Sequence, residues 1–341
     1  MSFVPIVPGR RRALYAIGAF GALALSGCAS ERRPPEEGPI AAMFPGRIDD
    51  GGFVEAGYRG LVRAGKAFGI PVTHVDRVPA EREQMLAALR KLAASDATLV
   101  IGFGAVTSEA VQRVAWEFPE QLFVTIQGTL TRPNLALYSV EPAQSAWLAG
   151  ALAGMLTRSG AVGHLAGARS IPAQHMRAGF FAGLTSVQPQ ARFLSTFTGS
   201  DDNAELARQV AVAQIDAGAD VLFTMLGAGE SGAIAACREH DVRQIGTVRD
   251  WVAAMPDAFV ASAVADPGYA IYMAARDLRD NLLKGDIVKR YGVYYPEGVR
   301  LALASSVPTE MRTRLERDRE RIVAGGIEIP ATFEGKEFAP A

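Results

Sequence analysis

A glycine-rich run in the second half of the chain has the residue types and spacing of a nucleotide site. Gly227-Ala-Gly-Glu-Ser-Gly232 matches the pattern G-x-G-x-x-G, whose glycines let the N-terminus of a helix approach the phosphates of a dinucleotide. Asp250 follows at about the spacing of the acid that binds a ribose hydroxyl in such sites. The run predicts either a dinucleotide-dependent enzyme or a helix N-terminus that another small ligand approaches. Its late position favours the second reading, because the dinucleotide motif belongs to the first turn of its domain.

Catalysis without a cofactor has no comparable support in the sequence. The adjacent acids Asp49-Asp50 and Asp201-Asp202 have side chains that diverge, so neither pair can readily share one reacting atom. The sequence has no G-x-S-x-G nucleophile motif and no motif that pairs a cysteine with a histidine. The histidines are scattered without the spacing of metal ligands: His74, His164, His175 and His240. We therefore expect no catalytic residue, no metal site and no cofactor.

From Pro39 onward, short apolar strands alternate with amphipathic helices. The first elements are a strand at 40–44, a helix at 53–68 and a strand at 71–76. Strands that alternate with helices of this length predict βαβ units and a parallel sheet. The alternation restarts with a helix at 143–157, so we expect two similar lobes. Later helices are expected at 176–187, 269–284 and 310–323, with no strand between the last two.

The loops that directly follow the predicted strands contain a candidate ligand site, because ligands of such sheets bind outside the carboxyl ends of the strands. These loops supply carboxylates, an amide, aromatic rings, and glycines that allow close approach of a ligand to the backbone. The candidates are Asp49, Asp50, Phe53, Gly104, Gln127, Gly227, Gly229, Glu230, Asp250 and Trp251. This composition favours a polar, ring-containing ligand.

Simpler roles stay open for several of these candidates. Phe53 could belong to the core rather than to a ligand site. Glu230 and Asp250 could be acids that complement the dipole at a helix N-terminus, and Asp50 could be a helix N-cap.

The first 28 residues have the pattern of a secretory signal. Arg10 to Arg12 are followed by an apolar run at 13–25, which is shorter than the ~20 residues that a membrane-spanning helix needs. The run ends in Leu25-Ser-Gly-Cys28, which looks like a bacterial lipobox whose cysteine becomes acylated. Residues 29–38 are rich in charge and proline and predict a flexible tether. We expect an exported protein that is lipid-anchored through Cys28 at the periplasmic or extracellular face of the membrane.

The net charge and the cysteine content argue against a nucleic-acid partner and against an intramolecular disulfide. The formal net charge is −1 and no basic cluster follows the signal, so nucleic acid is not an expected partner. Once Cys28 is acylated, only Cys237 remains, and no intramolecular disulfide can form. Cys237 follows an apolar stretch, which predicts a buried thiol. We expect the protein to be a monomer.

A series of short motifs occurs in a fixed order along residues 39–330. The first reads Ile48-Asp-Asp-Gly-Gly-Phe53-Val54 and is followed by Tyr58-Arg-Gly-Leu61. The later motifs lie at 148–154, 163–167, 178–183, 198–202, 217–221 and 246–250. In order and spacing the series resembles the basic membrane protein family of ABC-transporter substrate-binding lipoproteins, whose best-known members bind purine nucleosides.

The resemblance implies a type I periplasmic-binding-protein fold, an α/β architecture of two doubly wound parallel-sheet lobes. It further implies three crossovers between the lobes and a hinge that closes on ligand. By the same resemblance Phe53 would stack on a base and Asp50 would make a polar contact, with Trp251 a candidate second stacking ring. Val54, Gln127 and Val248 depart from the family pattern, since they replace an asparagine and two acids.

These observations predict a division of the chain and a function. Lobe 1 would comprise 39–142 and 265–290, lobe 2 would comprise 143–264 and 291–330, and 331–341 would be a C-terminal tail. The predicted function is that of the substrate-binding lipoprotein of an ABC importer, with the transporter permease as partner and a nucleoside-like or flavin-like solute as ligand. The alternatives are a ligand-sensing regulatory lipoprotein and a dinucleotide-dependent enzyme.

Overall fold

A computed structural model describes residues 38–340. The signal sequence, Cys28 and nearly all of the tether lie outside this range, so the predictions about them remain predictions. Among residues 38–340, no helix is both long and apolar enough to cross a membrane. Within the same range, no cluster of histidine, cysteine and acidic side chains could hold a metal ion.

The strands form two six-stranded sheets. In chain order the strands are β1 (Ile40–Met43), β2 (Val72–Val75), β3 (Leu99–Phe103), β4 (Leu122–Ile126), β5 (Leu135–Val140), β6 (Ala161–Ala166), β7 (Arg192–Phe197), β8 (Val221–Met225), β9 (Arg243–Val248), β10 (Phe259–Ala265), β11 (Val288–Tyr291) and β12 (Val299–Leu303). The first sheet has the order β11-β5-β4-β3-β1-β2, and all its pairs are parallel. The second has the order β12-β10-β9-β8-β6-β7, and only β12 is antiparallel to its neighbour.

Helices connect the strands and cover the sheets. They are α1 (Phe53–Phe68), α2 (Arg82–Ala93), α3 (Ser108–Glu117), α4 (Pro142–Leu156), α5 (Ile171–Val187), α6 (Ala204–Asp216), α7 (Glu230–Glu239), α8 (Trp251–Ala254), α9 (Pro267–Arg279) and α10 (Thr309–Val323). A single 3-10 turn at Ala105–Thr107 precedes α3. The alternation of strands and helices therefore agrees with the predicted α/β class.

Within residues 38–340 the chain passes between the two sheets three times. It leaves the first sheet after β5, returns after β10 and leaves again after β11. The three connections lie side by side, since Asp266 N donates to Gly298 O at 2.8 Å and Glu141 N donates to Tyr291 O at 2.8 Å. This arrangement is the one that the family resemblance implies. The residue boundaries proposed for the two lobes remain a proposal.

Helices α4 and α5 pack closely because small residues line their contact. Residues from Ser145 to Gly154 of α4 are buried, and the apolar side chains among them belong to the largest core cluster. A Cβ on Gly150 would lie 1.9 Å from Phe180 O, and a Cβ on Gly183 would lie 1.9 Å from Trp147 O. The glycines of the two sequence motifs at 148–154 and 178–183 therefore permit close helix packing rather than ligand contact.

Three predicted features differ from the structure. Helix α5 begins at Ile171, not at 176, because Ser170 Oγ accepts a hydrogen bond from Ala173 N at 3.3 Å and caps the helix. Helix α9 ends at Arg279, not at 284. The segment 284–310, expected to lack strands, contains β11 and β12. Both are outer strands of their sheets, and their lysine and arginine residues interrupt the apolar pattern by which a strand is recognised in the sequence.

Candidate ligand-binding site

The loops after β1, β3 and β4 are neighbours because these strands are adjacent in the first sheet. Gly104 N donates to Ile126 O at 2.9 Å, which joins the ends of β3 and β4. The half-buried ring of Phe53 lies 4.7 Å from the ring of Phe103, measured between centroids. Gly104 has φ of +88°, and a Cβ built on it would lie 3.7 Å from the Phe53 ring. Phe53 and Gly104 are thus side by side at the carboxyl edge of the sheet.

Gln127 follows β4 in a left-handed conformation, with φ of +57°. Its Oε1 accepts hydrogen bonds from Val140 N at 2.7 Å and from Ser139 Oγ. Both bonds hold the side chain against the end of β5. Its amide nitrogen has no hydrogen-bond partner among residues 38–340. The side chain can therefore offer two N–H donors from a fixed position.

Asp50 and Asp49 face different partners. Asp50 Oδ1 accepts from Gly52 N at 2.8 Å and from Glu55 N at 3.0 Å, and Oδ2 accepts from Val54 N at 3.1 Å. These are the free amides at the start of α1, so the Asp50 carboxylate stabilises the helix terminus. Asp49 is half-exposed and pairs with Arg47 at 3.0 Å. The hydrogen bond from Arg47 lowers the pKa of Asp49 below its ordinary value.

Glu230 opens α7 but is 2% exposed. Its carboxylate accepts hydrogen bonds from Gln244 Nε2 at 2.7 Å and from Thr224 Oγ1. Both partners are neutral, and burial raises the pKa of Glu230 to about 7. The side chain lies in the second sheet's polar interior rather than on a ligand-facing surface, which differs from the expectation for this residue.

Asp250 and Trp251 also have internal partners. Asp250 Oδ1 accepts from Ala253 N at 2.9 Å and caps α8, while Oδ2 accepts from Arg300 at 2.9 Å. Trp251 is 9% exposed and stacks on Phe259 with ring centroids 5.1 Å apart. The structure therefore places the Trp251 ring in a core cluster with Phe259. This position differs from that of a second ring that stacks on the ligand, the role for which Trp251 was a candidate.

The glycines of the G-x-G-x-x-G run serve close packing of the chain. The N–H groups of Gly227 and Gly229 both donate to Asp201 O, at 2.9 and 3.0 Å. A Cβ on Gly232 would lie 1.8 Å from Ala204 O, so this glycine lets α7 approach α6. The run therefore has a structural explanation that needs no dinucleotide.

The loops of the two sheets meet at a pair of glycines. A Cβ on Gly52 would lie 3.1 Å from Gly227 Cα and 3.4 Å from Leu226 O. Close by, Arg249 Nη1 donates to Gly51 O at 3.4 Å. The loops after β1, β8 and β9 therefore meet in one interlobe region.

Three further residues were not among the candidates: Arg249 at the interlobe contact, and Ser108 and Thr125 beside Gly128 in the loop after β4. Arg249 lies with its guanidinium 4.7 Å from the centre of the Trp251 ring. It follows Val248, whose φ of +67° is rare for a β-branched residue and marks a strained loop. Ser108 Oγ and Thr125 Oγ1 are buried without a hydrogen-bond partner in the described part of the chain. The signals available were the position of Ser108 at a predicted helix start and the presence of Arg249 in a post-strand loop.

The sequence matches the family described as ABC transporter substrate-binding protein, PnrA-like, over residues 39–332. It is 22% identical over 310 residues to the CD4+ T-cell-stimulating antigen of Listeria innocua, covering 84% of this chain and 85% of that one. It is 20% identical over 251 residues to the ABC transporter nucleoside-binding protein BmpA of Lactococcus lactis, covering 68% and 71%.

The fold is also similar to that of a solved solute-binding protein. An ABC transporter solute-binding protein from Conexibacter woesei superposes with a TM-score of 0.71 and 25% identity, over 87% of this chain and all of that one. The two-sheet architecture and the family match over nearly all the described residues agree with each other. The chain belongs to the basic membrane protein family of PnrA-like ABC transporter substrate-binding proteins.

Proposed function

We propose that this protein is the substrate-binding lipoprotein of an ABC importer and captures a small ring-containing solute, nucleoside-like or flavin-like, between its lobes. The observation that carries the proposal is the group formed by Phe53, Gly104 and Gln127 at the ends of three adjacent strands. This group suits a flat heterocycle, because Phe53 offers a half-buried ring, Gly104 has no side chain and Gln127 offers two N–H donors in a fixed position. The second lobe approaches the first beside this group, since Gly227 lies against Gly52, the residue that precedes Phe53.

The division of roles within the site follows from the contacts of each side chain. Phe53 supplies the stacking face, Gly104 leaves room for the ring, and Gln127 donates to acceptors on the ligand. Asp50 acts indirectly, because its carboxylate holds the backbone from which Phe53 projects. The name of the Lactococcus lactis relative as a nucleoside-binding protein supports the same ligand class.

The ligand class can be tested by identifying whatever the purified protein carries. Mass spectrometry of compounds released from the denatured, freshly purified protein should detect a ring-containing solute. Calorimetry with adenosine, guanosine, inosine and riboflavin should then show binding, with arabinose and alanine as controls that lack a flat heterocycle. Binding confined to these controls would contradict the proposal for the ligand, and the family assignment would stand.

The lipid anchor can be tested at Cys28. We expect the Cys28→Ala variant to appear in the soluble exported fraction or as an uncleaved precursor, because the acylated side chain is absent. A variant that remained processed and membrane-bound would contradict the anchor.

The importer role can be separated from a sensing role in cells. Deletion of the gene should abolish uptake of the labelled compound that the purified protein binds. Unchanged uptake combined with a lost transcriptional response to that compound would instead indicate a ligand sensor.

A further inference from the structure

The C-terminal tail lies along the outer strand of the second sheet. Phe338 N donates to Ser195 O at 2.8 Å, and Thr196 Oγ1 donates to Phe338 O at 2.9 Å. Both partners belong to β7, whose other side pairs with β6. The tail therefore occupies hydrogen-bonding positions at a sheet edge that would otherwise be open to other chains.

Two arginines bind one carboxylate of this tail. Arg169 forms a two-pronged ion pair with Glu337, with N–O distances of 2.6 and 2.7 Å. Arg177 Nη1 donates to the same carboxylate at 2.7 Å, and its side chain is only 7% exposed. The hydrogen bonds from Arg169 and Arg177 lower the pKa of Glu337 to about 2. Paired, two-pronged contacts of this kind impose orientation as well as attraction.

Aromatic rings complete the docking of the tail. Phe333 packs edge-on against Phe181 and Phe193, with ring centroids 4.9 and 5.3 Å away. The guanidinium of Arg177 lies 4.9 Å from the Phe333 ring. The segment 333–338 thus contacts the second lobe through backbone hydrogen bonds, an ion-pair cluster and apolar packing, and we call it the C-terminal strap.

Arg169 connects the strap to the interlobe region. It lies in the loop between β6 and α5, at the carboxyl end of β6. In that loop Ala168 N donates to Asp201 Oδ1 at 3.0 Å. Asp201 O in turn accepts from Gly227 N at 2.9 Å, and Gly227 is the residue that faces Gly52 across the lobes. A continuous path of bonded loops therefore leads from Glu337 to the interlobe contact.

We propose that the C-terminal strap holds the second-lobe wall of the ligand site and that Glu337 is a positioning residue for ligand binding. This inference rests on the proposed function, because it takes the interlobe region as the ligand site. Arg169 is 48% exposed, and without the Glu337 carboxylate it would lose its two-pronged ion pair and keep the contact of its guanidinium with the Phe197 ring, 4.5 Å from the ring centre. If the loop that lines the site is ordered before the ligand arrives, less conformational entropy is lost on binding. The strap therefore strengthens binding without contacting the ligand.

The test compares Glu337→Gln with the matched variant Glu334→Gln. Glu334 lies in the same strap, is exposed and has no ion pair or hydrogen bond among residues 38–340. Hydrogen–deuterium exchange of the ligand-free proteins should show faster exchange at 167–170 and 199–202 in Glu337→Gln only. Affinity for adenosine, guanosine or inosine, whichever the wild type binds, should fall about fivefold or more in Glu337→Gln. Glu337→Asp, which keeps the carboxylate, should recover part of the loss.

The possible outcomes distinguish failure of the proposal for the strap from failure of the proposal for the ligand. Unchanged exchange in Glu337→Gln, or equal changes in both glutamine variants, would contradict the proposal that the strap orders the loops of the second lobe through Glu337. Faster exchange with unchanged nucleoside affinity would overturn the positioning role. If the wild type bound neither the three nucleosides nor riboflavin, the proposed ligand would be contradicted, and the exchange comparison would still decide whether Glu337 orders the loop.

Discussion

The post-strand loops of the two lobes carry similar residue types but use them differently. In the first lobe, the Phe53 ring stays half-buried, and the Gln127 amide nitrogen keeps its N–H donors unused within residues 38–340. In the second lobe, Glu230 is enclosed between neutral partners and Trp251 stacks in the core. We infer that the first lobe supplies most side-chain contacts to the ligand. By the same inference, the second lobe would supply backbone groups and the guanidinium of Arg249, which lies at the interlobe contact.

The contrast teaches that an acid or ring after a strand has two competing uses. Asp50 and Asp250 both follow strands, and both accept hydrogen bonds from the first amides of a helix. Such caps stabilise a helix whether or not a ligand is present. A position at the carboxyl edge of a sheet therefore identifies candidate binding residues. Among these candidates, the residues whose side-chain polar atoms have no internal hydrogen-bond partner are available to bind a ligand.

Removing the Trp251 ring should have the largest effect, and it should fall on stability. We expect Trp251→Ala to lower the free energy of unfolding by about 3–5 kcal/mol, because a buried ring and its stack on Phe259 are lost. Urea denaturation followed by circular dichroism measures the change. Trp116→Ala is the control, since Trp116 is 60% exposed, and should change stability by no more than about 0.5 kcal/mol. A stable Trp251→Ala protein that no longer binds ligand would place this ring in the site instead.

Glu230→Gln should change the pH dependence of stability. The native pKa of about 7 lies above the ordinary value of 4.5, so the native state holds its proton more firmly than the unfolded state. The stabilisation by the protonated form is complete below pH 4.5 and is lost as the pH rises through 7. The loss amounts to about 3 kcal/mol as an order of magnitude.

The glutamine variant does not titrate, so its stability relative to the wild type should increase from about pH 5 to about pH 8.5. Urea denaturation across this range tests the expectation, with the exposed Glu205→Gln as control. A constant difference between Glu230→Gln and wild type at all pH values would show that Glu230 does not carry a raised pKa.

Phe53→Ala should weaken ligand binding, because it removes the proposed stacking ring. Stacking of a base on an aromatic side chain contributes ~1–3 kcal/mol in nucleic-acid sites, so affinity should fall roughly ten- to a hundredfold. Calorimetry with the nucleoside that binds the wild type measures this change. Phe53→Tyr retains the stacking face and serves as control. Equal affinity of Phe53→Ala and wild type would assign Phe53 to the core and remove the contrast between the lobes.

Asp250→Asn should have the smallest effect. Asparagine can still accept from Ala253 N and cap α8, and only the partly exposed pair with Arg300 is lost. Such pairs contribute about 1 kcal/mol or less, and added salt should reduce the difference further. A tenfold loss of nucleoside affinity in this variant would show that Asp250 contacts the ligand directly.

The sequence alone determined the class of fold, the order of most elements and the family. Helix α1 spans 53–68 as its apolar spacing predicts, because local periodicity and turn residues decide where an amphipathic helix begins and ends. The restart of the alternation at 143 corresponds to α4 and the second sheet. The order of the short motifs indicated the basic membrane protein family, and the family match confirms it.

Only the tertiary structure decided which loop residues are free, since their partners are remote in sequence. Glu230 accepts a hydrogen bond from Gln244, and the Gly227–Gly232 run packs against the Asp201 loop and α6. Strands β11 and β12 exist because the connections add them to the outer sides of existing sheets. The tail is ordered by Arg169 and Arg177, which precede Glu337 by 168 and 160 residues. Such contacts depend on how the chain folds back on itself, which local sequence patterns do not encode.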